Sequence, residues 1–195
     1  MNASVLQALE IIGVVAGLAY VVGASLEHIW CWPVSLVFIV TYGLITWHEA
    51  LYGEFGMQFL YAGLTLYGWR AWARGDRRDD LPVSRLPVPT LLGWLSVGAV
   101  GTAGLSLLLD ALGNSLPFWD ALTSSFSLVA TVLVARKRIE NWVFWVVIDA
   151  AYVGIFWAKG YEFYAGLYAF YALYSLYGYQ RWSISLRASH RGERP

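Results

Sequence analysis

Seven long apolar runs, separated by short polar segments, set the pattern of this chain. Their approximate limits are residues 5–25, 31–48, 54–73, 89–110, 117–135, 141–158 and 162–182. A helix that crosses the hydrocarbon core of a bilayer needs about 20 predominantly apolar residues, and each run is close to that length. The pattern therefore predicts an all-α integral membrane protein with seven transmembrane helices.

A repeat with an offset of 110 positions is superimposed on this pattern. Residues 29–72 fall without a gap on residues 139–182. The residues that match their partners are Ile29, Trp32, Tyr42, Trp47, Gly56, Tyr61, Ala62, Tyr67, Gly68 and Trp72. A duplicated apolar unit packed on itself in a bilayer has its natural cavity at the junction between the copies, which is where transporters place their substrate. The duplication therefore favours a transporter.

The basic residues are distributed unevenly among the predicted loops. Lys and Arg stay preferentially on the cytoplasmic side of a membrane. With the N-terminus outside and the C-terminus inside, twelve of the thirteen basic residues face the cytoplasm and Lys159 alone lies outside. The twelve are Arg70, Arg74, Arg77, Arg78, Arg85, Arg136, Lys137, Arg138, Arg181, Arg187, Arg191 and Arg194.

This orientation makes the two copies parallel, because spans one to three and spans five to seven then start on the same side of the membrane. The predicted arrangement is a 3+1+3 parallel repeat, which resembles that of the SWEET sugar transporters. We predict a first three-helix repeat at residues 1–73 and a cytoplasmic linker with connecting helix four at 74–112. A second three-helix repeat at 113–183 and a cytoplasmic tail at 184–195 complete the chain.

The composition supports a membrane protein and narrows its chemistry. Hydrophobic residues make up 58% of the chain and charged residues 13%, against about 25% charged in soluble domains, and the mean hydropathy is +0.53. The lipid bilayer is thus an expected partner. The thirteen basic residues balance the thirteen acidic ones, so net charge gives no sign of nucleic-acid binding. The first 25 residues lack the basic start of a secretory signal and are expected to be a retained span.

The sequence predicts neither a cofactor nor an enzyme. The single cysteine, Cys31, cannot form an internal disulfide. The three histidines have no metal-ligand spacing with this cysteine or with carboxylates. No phosphate-binding loop, dinucleotide fingerprint or nucleophile elbow is present. A sensor would usually need a soluble output domain, and only thirteen residues follow Trp182.

Span six carries the strongest candidate site. Trp142, Trp145, Asp149 and Tyr152 are spaced i, i+3, i+7 and i+10, so they share one helical face. A carboxylate at membrane depth costs about 2.5–3.5 kcal/mol on insertion scales, so it normally faces a protein interior or a watery cavity. No Lys or Arg lies in the middle of a span, which leaves a hydroxyl such as that of Tyr152, a proton or a cationic ligand as the partner of Asp149. The alternative is a protonated or hydrogen-bonded Asp149 that only holds helices together.

The aromatic residues around Asp149 have two interpretations. An indole such as that of Trp145, one turn inside the span, can stack on a flat ring or hold a cation against its face. Trp142 has a repeat partner, Trp32, which favours a packing role. Most other tryptophans stand near span ends, as expected of interfacial belts.

Spans seven and three add further candidates. Span seven presents a stripe of four tyrosines, of which Tyr168 and Tyr171 lie near mid-depth. Tyrosines are costly there unless each hydroxyl is bonded, so a hydrated or ligand-lined face is at least as compatible with them as a sealed core. In span three, Gln58 is the main polar candidate of the first copy. The alternative for Gln58 is a hydrogen bond between helices.

Several strings of the chain resemble the PnuC family of bacterial vitamin transporters. They are Ser25-Leu26-Glu27, Tyr67-Gly68-Trp69-Arg70-Ala71-Trp72, Pro117-Phe118-Trp119-Asp120, Ala135-Arg136-Lys137-Arg138 and the run from Glu140 to Asp149. The likeness covers nearly the whole chain. It implies a SWEET-like fold in the bacterial inner membrane that moves nicotinamide riboside, or in sister groups thiamine or riboflavin, down its gradient. It also implies that a cytoplasmic kinase traps the vitamin by phosphorylation.

The resemblance also implies binding residues. The family's aromatic and amide-or-acid motif in span six falls on Asn141, Trp142, Trp145 and Asp149, and its span-three glutamine falls on Gln58. Some family members carry Asn where this chain has Asp149. Nicotinamide riboside and thiamine both contain a cationic aromatic ring that an aspartate and a tryptophan would suit, whereas neutral riboflavin fits less well. Proton-coupled uptake through Asp149 stays open, as does assembly into a homo-oligomer.

Overall fold

The computed structural model describes residues 1–75, 81–158 and 160–191, and within them it contains seven α-helices. The helices are α1 (Ala3–Ser25), α2 (Cys31–His48), α3 (Tyr52–Gly75), α4 (Val88–Ala111), α5 (Pro117–Ala135), α6 (Asn141–Ala158) and α7 (Glu162–Arg191). The predicted all-α architecture with seven helices is confirmed. Five of them, α1, α2, α4, α5 and α6, are long and apolar enough to cross a membrane.

The seventh helix is longer than predicted. α7 continues to Arg191, so residues 184–191, which the sequence analysis assigns to a tail, are helical. No proline or glycine follows Trp182 until Gly192, and the side chain of Leu186 is buried, so the helix has no local reason to stop at the end of the apolar run. Residues 192–195 of the predicted tail lie outside the described residues.

The chain divides into two compact units, Met1–Leu81 and Pro82–Pro195. In the first unit, α2 packs against both α1 and α3. In the second unit, α5 packs against α4 and α6, and α6 packs against α7. Helix four therefore belongs to the same compact unit as the second copy.

Small residues bring the helices of the first unit together. Gly13 on α1 lies against Thr41 on α2, whose hydroxyl would be 3.2 Å from a Cβ atom at position 13. The hydroxyls of Ser35 on α2 and Thr65 on α3 are 3.1 Å apart and form a hydrogen bond. These contacts of small and hydroxyl-bearing residues align α2 with both of its neighbours.

In the second unit the chain before α4 is held against the turn between α5 and α6. The backbone N–H of Ser84 donates to the carbonyl oxygen of Lys137 over 3.0 Å, and the N–H of Ile139 donates back to Ser84 over 3.0 Å. The guanidinium of Arg138 donates to the Ser84 hydroxyl over 2.8 Å. The Glu140 carboxylate accepts from the backbone N–H of Leu86. These bonds fix where α4 begins relative to α6.

The two units repeat their local geometry at positions 110 apart. The turn before α2 has Glu27 at a φ of 57°, and the turn before α6 has Lys137 at 48°. The turn before α3 has Ala50 at 58°, and the turn before α7 has Gly160 at 76°. The repeat in the sequence is thus matched by a repeat in backbone conformation inside each unit.

Candidate functional site

The side chain of Asp149 is buried in the second unit, on the side of α6 that meets α7. It is 5% exposed although it lies in the middle of its helix. Its carboxyl group has the hydroxyl of Ser175 as a hydrogen-bond partner, and Ser175 is itself buried on α7. The phenol of Tyr171, one turn earlier on α7, is near enough to interact electrostatically with this carboxyl group. Asp149 therefore has a hydroxyl partner, but it is Ser175 on α7, which the sequence pattern did not name.

Trp145 lies one turn before Asp149 and is half-buried. It packs against an apolar cluster formed by α5 and α6, whose members are Val129, Ala130, Leu133, Phe144 and Ile148. Tyr152 packs against the same cluster. Along α6, the rings of Trp145 and Tyr152 therefore lie before and after Asp149. Each ring packs against the apolar cluster that α5 and α6 form.

Four rings from α6 and α7 form a stack that we call the aromatic column: Tyr152, Phe156, Tyr164 and Tyr168. The ring centroids of Tyr152 and Tyr168 are 4.5 Å apart, with a 32° angle between the planes. Phe156 lies 5.3 Å from Tyr168 at 19° and 5.4 Å from Tyr164 at 27°. Such offset, nearly parallel rings attract one another beyond their apolar burial. The column begins one turn beyond Asp149 and reaches the end of α6.

Two predicted site residues lie at the start of α6, away from Asp149. Asn141 is fully buried, and its amide nitrogen donates to the carbonyl oxygen of Arg138 over 2.6 Å. Trp142 is also buried and packs against Trp182. At 1.5 Å per residue, Trp142 begins about 10 Å from Asp149 along the helix. Asn141 and Trp142 therefore lie about two turns of α6 away from Asp149.

Both of these residues keep one polar atom without a partner among the described residues. These atoms are the side-chain oxygen of Asn141 and the indole nitrogen of Trp142. The indole nitrogen of Trp32, the counterpart of Trp142 in the first unit, is unpaired in the same way. The shared feature agrees with the packing role that the repeat indicates for Trp142.

Gln58 stands alone as the polar candidate in the first unit. Its side chain is buried, and its amide nitrogen donates to the backbone oxygen of Glu54, in the same helix, over 3.1 Å. Its side-chain oxygen has no partner among the described residues. The hydroxyl of Tyr42 donates to the Glu54 carboxylate, which joins α2 to α3 beside it. The hydrogen bond of the Gln58 amide nitrogen thus stays within α3.

The electrostatic setting of Asp149 favours a cation. Across residues 1–75, 81–158 and 160–191, no basic side chain forms an ion pair with Asp149. A carboxylate without a basic partner attracts a positively charged group. In the same part of the chain no three His, Cys, Asp or Glu side chains come together as metal ligands.

Sequence reasoning missed one member of the column, Phe156. It follows Tyr152 by four residues and so continues the Asp149 face of α6 by one turn, a signal that a search for polar and indole groups passes over. Trp72 and Trp182, which stand near span ends, are both buried inside their units.

Comparisons with known proteins agree with this architecture. A family model described as "Nicotinamide mononucleotide transporter" matches residues 7–184. The nicotinamide riboside transporter PnuC of Escherichia coli is 30% identical over 95% of this chain and 88% of its own length. The riboflavin/roseoflavin transporter RibM of Streptomyces davaonensis is 30% identical over 93% of this chain and 87% of its own length.

A solved structure leads to the same class. The crystal structure of the vitamin B3 transporter PnuC is similar with a TM-score of 0.74 and 26% identity, over 92% of this chain and 82% of that one. The apolar helices and these matches define a multi-pass membrane transporter, not an enzyme. The chain belongs to the PnuC family of vitamin transporters.

Proposed function

We propose that this chain carries nicotinamide riboside across the bacterial cytoplasmic membrane by facilitated diffusion. The observation that carries the proposal is Asp149, a buried carboxyl group bordered by aromatic rings and without a basic partner among the described residues. The pyridinium ring of nicotinamide riboside is flat and positively charged, so it matches both the rings and the carboxylate. Several relatives bear the name of a nicotinamide riboside transporter, which supports the same substrate.

In this proposal the residues have distinct roles. Asp149 balances the charge of the bound ring, and Trp145 stacks on it. Tyr152, Tyr168 and Tyr171 contact the remaining substrate surface, because their rings lie around Asp149 on the α6–α7 side of the second unit.

Three further predicted residues complete the proposal. Gln58 offers its unpaired carbonyl oxygen as an acceptor for a substrate hydroxyl or amide. Asn141 and Trp142 position the first turn of α6, because both are buried there against their own unit. Their effect on the substrate is then indirect.

The proposed topology has seven spans, an outside N-terminus and a parallel 3+1+3 SWEET-like repeat. Arg70 and Arg74 lie near the end of α3, Arg136 directly follows α5, and α7 carries Arg181 and Arg187 in its second half. With seven alternating spans, the ends of α3, α5 and α7 lie on one side, and basic residues favour the cytoplasm. Arg77, Arg78, Lys159 and Arg194, which enter the same count, lie outside the described residues.

In facilitated diffusion the vitamin moves down its own concentration gradient, so the proposed transport needs neither ATP nor an ion gradient. In the proposal, phosphorylation by a cytoplasmic kinase traps the vitamin after entry, as the family resemblance implies. Riboflavin is the second candidate substrate, because RibM is as similar to this chain as the nicotinamide riboside transporter of Escherichia coli is. Its neutral ring leaves the Asp149 charge unmatched, so we rank it second.

The test is uptake of labelled vitamins into liposomes that contain only the purified chain. Nicotinamide riboside is expected to equilibrate without ATP or an ion gradient, with thiamine and riboflavin as competitors in parallel reactions. If only riboflavin or thiamine equilibrates, that vitamin is the substrate, and the chain is still a vitamin transporter. Accumulation far above the outside concentration under an imposed proton gradient would replace facilitated diffusion with proton-coupled uptake through Asp149.

A further inference from the structure

The aromatic column of Tyr152, Phe156, Tyr164 and Tyr168 extends well past the Asp149 position. Phe156 follows Asp149 by seven residues, which is about 10 Å along α6 at 1.5 Å per residue. α6 ends at Ala158, so the column runs from the neighbourhood of the buried carboxyl group to the end of its helix. Tyr164, at the far end, is 48% exposed, whereas Asp149 is 5% exposed. The rings thus lead from a partly exposed tyrosine towards a buried acid.

The first unit shows that the fold itself does not require these rings. The positions that correspond to the column, 110 residues earlier, are Tyr42, Thr46, Glu54 and Gln58. There α2 and α3 pack with a Tyr42–Glu54 hydrogen bond and with the Thr46 hydroxyl bonded to its own helix. The pairs α2–α3 and α6–α7 therefore share a turn geometry. At the four column positions, however, α2–α3 carries one ring and α6–α7 carries four.

The arrangement of the rings offers a flat cation a series of nearly parallel stacking partners. Phe156 lies between Tyr164 and Tyr168, and the ring planes differ by only 27° and 19°. A pyridinium ring can exchange one nearly parallel stacking partner for the next without a large rotation. Each step retains a ring face against the charge, which partly replaces the water that the cation loses.

We propose that the aromatic column is the path along which a flat cationic ring reaches Asp149 from the end of α6, with Phe156 and Tyr164 as a transient stacking subsite. This inference rests on the proposed function, because it takes nicotinamide riboside as the ring. It adds two residues that do not belong to the resting site. A path residue stabilises the moving ligand and not the bound one, so its loss slows arrival and departure equally.

The experiment measures rates and affinity separately on the purified full chain. Binding of nicotinamide riboside is followed by tryptophan fluorescence in a stopped-flow instrument, and Kd is measured by calorimetry. Tyr164→Leu and Phe156→Leu are each expected to lower the association and dissociation rate constants by about threefold, with Kd unchanged. Tyr164→Phe keeps the ring and is expected to behave like the unmodified chain. Trp157→Leu removes an exposed ring from the same turn of α6, outside the column, and serves as the matched control.

The outcomes separate the column from the proposed function. No binding of nicotinamide riboside to the unmodified chain would defeat the proposed substrate and this path with it. Normal binding with unchanged rate constants in Tyr164→Leu and Phe156→Leu would defeat the path alone. A weakened Kd at constant association rate would place the two rings in the resting site and also overturn the proposal. If Phe156→Leu fails to fold, the rate constants of Tyr164→Leu still test the path, because Tyr164 is half exposed.

Discussion

The indole ring of Trp142 lies so close to the backbone of Gly178 that a Cβ atom at this position would stand 2.7 Å from it. The ring of Trp182, one turn further along α7, meets the same indole edge-on at a centroid distance of 5.5 Å and an angle of 87°. α6 and α7 therefore approach through a glycine that gives the indole room. Close approach at small residues is how helices pack in membranes.

The first unit contains the same arrangement. Trp32 occupies the space over Gly68, where a Cβ atom would lie 2.1 Å from the ring, and Trp72 meets it at 5.4 Å and 89°. Each unit thus holds its last two helices together by one buried indole placed over a glycine. This position, and not Asp149, is where the two copies are most alike.

The first prediction concerns Gly178. Gly178→Ala should destabilise the protein, because the indole of Trp142 is large, buried and unable to move away without disturbing Trp182. Overpacking of this kind typically costs about 1–3 kcal/mol. Thermal unfolding of the purified protein in detergent measures the effect as a lower Tm.

Gly166 on the same helix is the control for this substitution. A Cβ atom at position 166 meets no atom within 4 Å, and alanine has the higher helix propensity. Gly166→Ala should therefore leave Tm unchanged or raise it slightly. Equal Tm values for Gly178→Ala and Gly166→Ala would show that the Trp142 contact does not limit the packing of α6 on α7.

The second prediction tests the charge and the ring at the proposed site. Asp149→Asn keeps the shape of the side chain and removes its charge. Trp145→Ala removes the stacking face, and a desolvated cation–π contact of about 2 kcal/mol corresponds to roughly tenfold or more in Kd. We expect each change to weaken binding of nicotinamide riboside by at least that factor in calorimetry, with Tm little changed for Asp149→Asn.

A matched control for Trp145→Ala is Trp157→Ala. Trp157 is 69% exposed on the same helix, so its loss should leave Kd unchanged. Full affinity in both Asp149→Asn and Trp145→Ala, in folded protein, would mean that Asp149 and Ser175 only link α6 to α7. The site would then have to be sought around Gln58 and the tyrosines of α7.

Much of the fold can be predicted from the sequence because each apolar run is about as long as the helix that it indicates. The limits of α2, α5 and α6 agree with the apolar runs from which they were predicted. Lipid imposes a length on a span, and a polar turn marks its end. The end of α7 was predicted less well, because a helix that leaves the membrane continues in water with polar residues and hydropathy gives no boundary there.

The site was only partly predictable. The spacing along α6 identified Asp149 and Tyr152 as facing one neighbour, and the partners Ser175 and Tyr171 do lie on that side. The helical spacing grouped Trp142 with Asp149 because the two share a face, although seven residues, about 10 Å along the helix, separate them. Which helix packs on which face follows from tertiary contacts that no single-helix pattern contains.

The third prediction separates stability from binding at Gln58. The side-chain oxygen of Gln58 is buried without a partner among the described residues, and such a group typically costs about 1–3 kcal/mol. Gln58→Leu removes that group at similar volume, so Tm should stay the same or rise. If the oxygen accepts a hydrogen bond from the substrate, the same variant should lose roughly tenfold in affinity, which is the range of a net hydrogen bond.

An exposed glutamine provides the comparison for this variant. Gln180 on α7 is exposed, so Gln180→Leu should change neither Tm nor Kd. A lower Tm for Gln58→Leu, with Kd unaltered, would assign Gln58 to the structure of the first unit and remove it from the binding residues.

The fourth prediction concerns orientation. The proposed seven alternating spans, with basic residues at the ends of α3, α5 and α7, predict an outside N-terminus and a cytoplasmic C-terminus. A fluorescent reporter that matures only in the cytoplasm, fused after Pro195, should therefore be bright, and alkaline phosphatase, which is active only in the periplasm, should be silent at the same position. Fusions after Gly113, in the turn between α4 and α5, should give the opposite pair of results, because this turn lies on the other side. A dark reporter with active phosphatase after Pro195 would reverse the topology and move the α5–α6 turn, with Arg136 and Arg138, to the outer face.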